Sequence, residues 1–161
     1  MKYTLPFLER RRLHDRAYRA QQRDQSEVCG ALMSTRWGVL RLHFLENKSE
    51  RPGHFEIASA ELRALRQSQN GTGLRFFGTF HSHPLTYAVP GRGDIRGAST
   101  GELMLVYDVC GGEARLWRIV RRKGYKTAVQ LTLYTMARSG QVVMAPNKPL
   151  NPPAVRMSAA G

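Results

Sequence analysis

The sequence predicts a mixed α/β fold in a single domain. Three observations predict it: helix-like stretches alternate with short apolar or alternating stretches of strand length, turn-rich breaks separate them, and 161 residues suffice for one well-cored domain but not two. Apolar residues make up 42% of the chain and charged residues 23%, ordinary globular usage that excludes wholesale disorder. The charge is unusual. Lys and Arg number 25 against 12 Asp and Glu, a formal net charge of +13, which favours an acidic partner: nucleic acid, an anionic surface or an acidic protein.

Thr4 to Gln22 reads as a helix, with Thr4 as N-cap, Pro6 in the first turn, and Leu13, Ala17 and Ala20 on the buried stripe. Its other faces carry Arg10, Arg11, Arg12, Arg16, Arg19 and Arg23, which are read as a solvated surface. Glu27 to Met33 reads as a buried strand opened by Glu27, a carboxylate that must sit at a solvated edge or be held for a purpose. Val39 to Glu46 alternates as a strand with one covered face, placing His43 at the surface. A loop over Asn47 to Gly53 and a brief extended piece, Phe55 to Ile57, lead to a helix capped by Ser59 and running to about Gln69, with Ala58, Leu62 and Leu65 as its stripe. Asn70 to Gly73 stops it, and Leu74 to Phe80 is a strand running into two histidines. His54 has no metal-like neighbour in sequence.

Beyond Pro84 a Gly- and Pro-rich loop ends at Asp94, placed to start a short helix through Ser99. Glu102 to Val109 and Ala114 to Val120 flank a Gly-Gly centre and pair as an antiparallel hairpin. Val129 to Tyr134 fits either a strand or a terminal helix. Pro146, Pro149, Pro152 and Pro153 mark a loose or wrapping tail, so the expected division is a domain over 1–138 and a Pro-rich tail over 139–161. Cys29 and Cys110 lack C-x-x-C spacing and read as buried small hydrophobes rather than a disulfide or a zinc knuckle. With no signal-peptide-like region and no membrane-length apolar run, the expectation is a cytoplasmic, reduced protein without membrane partners.

The chemistry gathers at Gly78-Thr-Phe-His-Ser-His-Pro84. In an extended chain His81 and His83 project to one side and can grip one ion, Ser82 points away, and Pro84 ends regular pairing. A catalytic zinc typically takes three protein ligands and a water. Asp94, just past the glycine-rich loop, is the natural third ligand, and Glu27 is the candidate base for the water's proton. The bland alternative is a polar strand end whose groups bond one another, with Glu27 a surface carboxylate paired to an arginine.

This pattern resembles the JAMM or MPN-plus (JAB-domain) zinc metalloproteases: a Glu early in the domain, here Glu27 in Ser26-Glu-Val-Cys-Gly-Ala-Leu32, then H-x-H-P at His81 to Pro84, then S-x-x-D ending at Asp94 with ten residues after His83. The resemblance runs from residue 1 to about 135. It implies a curved mixed β-sheet flanked by helices, of cytidine deaminase-like kind. It implies Zn2+ on His81, His83 and Asp94, Glu27 as the base, and deubiquitinase-like hydrolysis of an amide or isopeptide bond at the C-terminus of a ubiquitin-like protein or its conjugates. It also implies pairing with another MPN-type domain, as a dimer or heteromer.

The modifier's tail is expected to add as a strand beside the metal. Specific nucleic-acid binding is not expected, because no aromatic-basic motif accompanies the charge. Gly91 departs from the pattern where the family has Ser, a residue implied to hold the oxyanion, and losing one such donor costs on the order of 3 kcal/mol. Either the Gly91 N–H, Arg92, Ser82 or Thr86 compensates, or the chain is an inactive scaffold that binds protein partners.

Overall fold

In the computed structural model, which describes residues 1–68 and 72–144, six strands form a mixed sheet and three form a second, smaller one. In chain order the elements are β1 (Tyr3–Leu5), α1 (Phe7–Asp24), β2 (Cys29–Thr35), β3 (Leu40–Leu45), α2 (Ser59–Gln67), β4 (Leu74–His83), α3 (Arg92–Gly97), β5 (Leu103–Asp108), β6 (Glu113–Arg122), β7 (Tyr125–Leu131), β8 (Leu133–Met136) and β9 (Val142–Met144). The large sheet runs β3-β2-β4-β5-β6-β7 and is antiparallel except between β4 and β5, which lie parallel across the crossover containing α3. This is the mixed α/β class with a curved sheet and few helices that the sequence predicts. The small sheet, β1-β8-β9, was not foreseen.

The central strand β5 shows how both faces are covered. Every residue of it is buried, and side chains alternate between faces. Leu103, Leu105 and Tyr107 join Leu13 and Ala17 of α1 in one core. Met104 and Val106 pack with Ala88, Ile119 and the α3 residue Ile95 in another. The same alternation in β4 sends Phe80 into the α1-side core and leaves His81 and His83 on the opposite face.

Several expectations are corrected. Thr4 does not cap a helix; it lies in β1, where its N–H donates to the Gly38 carbonyl at 2.9 Å, and extended Pro6 is the N-cap of α1. Buried Tyr3 and Leu5 around half-buried Thr4 are the period-two pattern of a strand. The stripe of Leu13, Ala17 and Ala20 is buried as expected, and Glu9 joins it: its carboxylate accepts the Leu42 N–H at 3.0 Å, satisfying part of the β3 edge. Ser59 is not the cap of α2, which is Ala58, and Leu62 and Leu65 are only half-buried.

The undecided segment near Val129 is strand, divided between β7 and β8. Lys123 and Gly124, with φ of 48° and 84°, make the two-residue turn that joins β6 to β7. Part of the expected tail is β9, paired with β8; residues 145–161, with the tail's prolines, lie outside the described residues, as does part of the expected helix stop over Asn70 to Gly73, and α2 already ends at Gln67 with Ser68 as its C-cap. Cys29 is buried but Cys110 is exposed, since it falls in the turn between β5 and β6.

Candidate metal centre and its cleft

Strand register assembles the site. Cys29 of β2 pairs with His81 of β4, so Glu27, two residues earlier, comes level with His83 on the same face. Glu27 precedes β2 rather than opening it, and is held there from two sides. The Val28 N–H donates to Ser82 Oγ at 2.9 Å and the Ser82 N–H donates to the Val28 carbonyl at 2.9 Å. Asn47 Nδ2 donates to the carbonyls of Glu27, at 2.9 Å, and His54, at 3.0 Å. Ser82 thus points away from the imidazoles, as expected.

His81 Nε2 and His83 Nε2 lie 3.0 Å apart, and Asp94 Oδ2 is 3.2 Å from the first and 3.7 Å from the second. Each group is aimed. His83 Nδ1 sits 2.7 Å from the Tyr87 carbonyl; a carbonyl only accepts, so Nδ1 carries the proton and Nε2 presents its lone pair. Asp94 occupies the third position of α3, not its start, and its Oδ2 accepts the Gly91 N–H at 2.7 Å, which holds the carboxylate toward the imidazoles. His81 is fully buried against Phe55, with ring centroids 4.4 Å apart and planes at 21°. Phe55 and Tyr87 were missed by sequence reasoning, because neither a stacking partner nor a backbone acceptor leaves a spacing signal.

Burial governs the charges. It pushes the His81 imidazole below its ordinary value. For His83 burial pulls the same way, but Asp94, Glu27 and the Tyr87 carbonyl outweigh it and the pKa rises. Burial opposes ionisation of Asp94, yet the two imidazoles and the Gly91 N–H hold its carboxyl well below the usual carboxylate range. Glu27, only 5% exposed, is pushed by burial up to about 8, with His83 pulling down and Asp94 pushing up.

The residues fit a divalent metal. One donor atom from each of His81, His83 and Asp94 lies within 4.8 Å of the others. Two imidazole nitrogens, His81 Nε2 and His83 Nε2, converge on one carboxylate oxygen, Asp94 Oδ2. Two imidazoles and a carboxylate form the donor set of a zinc site that keeps a position open.

A cleft of about 390 Å³ opens beside the group, lined in part by Gln25, Glu27, His54, His83, Thr86 and Asp94. A second hollow adjoins it and shares His54, Gly93 and Asp94. His54 is therefore on the rim of the cleft although it is not in the ligand cluster. β4 pairs with β2 on one side and with β5 on the other. Among the described residues the edge strands of this sheet are β3 and β7.

The sequence model of a family described as prokaryotic homologs of the JAB domain matches residues 10–120. A desampylase of Pyrococcus furiosus is 30% identical over 92 residues, which is 56% of this chain and 65% of the desampylase; the match spans somewhat less than two thirds of that relative. A protein of Desulfitobacterium hafniense, solved in solution, has a TM-score of 0.62 at 22% identity, covering 85% of this chain and 96% of its own. A JAB1/MPN domain protein from Archaeoglobus fulgidus has a TM-score of 0.43 at 19% identity, over 78% of this chain and 94% of its own.

Proposed function

The chain belongs to the family of prokaryotic homologs of the JAB domain, and from that premise we propose that it is a zinc-dependent hydrolase. Its substrate is the amide or isopeptide bond at the C-terminus of a ubiquitin-like modifier. The observation that carries this reading is the meeting of His81 Nε2, His83 Nε2 and Asp94 Oδ2 at the wall of a cleft that His83 and Asp94 line together with the buried Glu27. The likeness to a desampylase supports the modifier as substrate class.

In this reading His81, His83 and Asp94 hold the zinc. When bound, zinc lowers the pKa of a water and polarises the scissile carbonyl. Glu27 takes the proton as the water oxygen bonds to the carbonyl carbon, and gives it to the amine nitrogen as the C–N bond breaks, so protons balance over a turnover. Burial raises the Glu27 carboxyl to about 8 in the metal-free fold, a proton affinity high enough for a carboxyl to take up a proton and pass it on. The Tyr87 carbonyl keeps His83 in the ligating tautomer. The exposed arginines of α1 offer a docking face to acidic surface on the modifier or its target.

A second reading, a partner-binding scaffold without turnover, is favoured by Gly91 standing where the family pattern has Ser. The deciding experiment is cleavage of a ubiquitin-like fusion by the zinc-loaded chain, by Glu27→Gln, and by the chain after chelation and zinc return. The expected result is cleavage that chelation stops and zinc restores, with Glu27→Gln binding zinc but not cleaving. Equal rates for wild type and Glu27→Gln would remove Glu27 as the base. A zinc-bound wild type that cleaves nothing would establish the scaffold.

A further inference from the structure

A site that hydrolyses an amide needs a hydrogen-bond donor where the carbonyl oxygen becomes negative, and Gly91 has no side chain to offer one. The candidate donors nearby are not equal. The Gly91 N–H is already given to Asp94 Oδ2 at 2.7 Å. Ser82 is fully buried on the other face of β4, away from the imidazoles, where its Oγ accepts the Val28 N–H at 2.9 Å. Arg92 is exposed and is not among the residues lining the cleft. Thr86 lines the cleft together with Glu27, His83, Gly91 and Asp94, contributes its one side-chain hydroxyl, and makes no side-chain hydrogen bond among the described residues.

The loop that carries Thr86 is anchored on both sides. The Pro84 carbonyl accepts from Gln21 Nε2 at 2.6 Å and from Cys110 Sγ at 3.2 Å. The Tyr87 carbonyl is 2.7 Å from His83 Nδ1, and the Ala88 carbonyl accepts from Trp117 Nε1 at 3.0 Å. A hydroxyl held on such a loop is positioned before substrate arrives, which is what makes a donor effective in the transition state.

We infer that Thr86 is a catalytic residue whose hydroxyl, on the wall of the cleft, hydrogen-bonds the scissile carbonyl oxygen, a part that Gly91 has no side chain to play. This rests on the hydrolase reading. As the water oxygen bonds to the carbonyl carbon, the π pair moves onto the carbonyl oxygen and Thr86 donates to it. When the C–N bond breaks, the pair returns to the carbonyl and Thr86 keeps its proton.

The test uses the full, zinc-loaded chain with the C-terminal peptide of ubiquitin joined through an isopeptide bond to lysine, and a phosphinate analogue of that bond as a tetrahedral mimic. Thr86→Val is expected to lower kcat by about 100-fold with KM unchanged. It should weaken phosphinate binding by a similar factor while the product peptide binds as before. Thr86→Ser, which keeps the hydroxyl, is expected to retain wild-type values in both assays. If wild type cleaves and Thr86→Val matches it in kcat and phosphinate affinity, the inference fails while the hydrolase reading stands. A Thr86→Val chain that no longer holds zinc assigns Thr86 a structural role and also overturns it. Wild type that cleaves neither this isopeptide nor a ubiquitin-like fusion overturns the hydrolase reading and the inference together.

Discussion

Glu27 is a group whose burial opposes stability, and Glu27→Gln measures by how much. Its carboxyl is held at about 8 against an ordinary 4.5, chiefly by burial. Below 4.5 it is protonated in folded and unfolded chains alike and contributes nothing. Between 4.5 and 8 the unfolded chain has released the proton while the folded chain keeps it, so stability falls as pH rises, and above 8 the loss is complete. The gap corresponds to at most about 5 kcal/mol; relaxation and water entry at a cleft wall bring the expected loss nearer about 2 kcal/mol. Gln keeps the shape and removes the ionisation. Urea unfolding of the metal-free chain, followed by circular dichroism, should show wild type and Glu27→Gln equal near about pH 4, and the variant more stable by about 2 kcal/mol near about pH 9. Equal stability at the higher pH, or a more stable wild type, would show that the carboxylate is satisfied in the fold and refute the argument from burial.

Gly78 has φ of +156°, and a Cβ there would lie 1.8 Å from the Leu103 carbonyl oxygen; Gly78→Ala should cost at least about 3 kcal/mol in a urea titration and lower zinc content, because the β4–β5 seam supports both histidines. Glu9→Ala should cost about 1–3 kcal/mol in the same assay by leaving the Leu42 N–H unmatched in the core, with kcat unchanged. At Gly91, on backbone with φ of −73°, a Cβ would meet Asp94 Oδ2 at 3.3 Å, so Ser fits once that carboxylate gives by a few tenths of an ångström; Gly91→Ser should then raise kcat by up to about tenfold through a second oxyanion donor. Zinc affinity, measured against a competing chelator, should fall on acidification, because protons compete for His83, whose pKa is raised in the metal-free fold.

The meeting of His81, His83 and Asp94 was legible because its parts are local or regularly spaced. His81 and His83 share a face through the two-residue period of a strand, and Asp94 follows at a loop's length. What aims them was not legible. The Tyr87 carbonyl sets the tautomer of His83, the Gly91 N–H turns Asp94 inward, and Phe55 covers His81, and none of these contacts requires a particular spacing. The small sheet was missed for a related reason: Tyr3-Thr-Leu5 is three residues long, and it becomes a strand by pairing with Leu133 to Thr135 at the far end of the chain.

Residue order alone gives the class of fold and the faces of its main strands and nominates Glu27, His81, His83 and Asp94 as the chemical groups, because covalent geometry makes side-chain direction a local, periodic property. It does not reach the proton on Glu27, the interior position of β4, or which hydroxyl near Gly91 stays unengaged. Those depend on what packs over each group, and low-dielectric burial and hydrogen-bond competition are set by chain segments that meet only after folding.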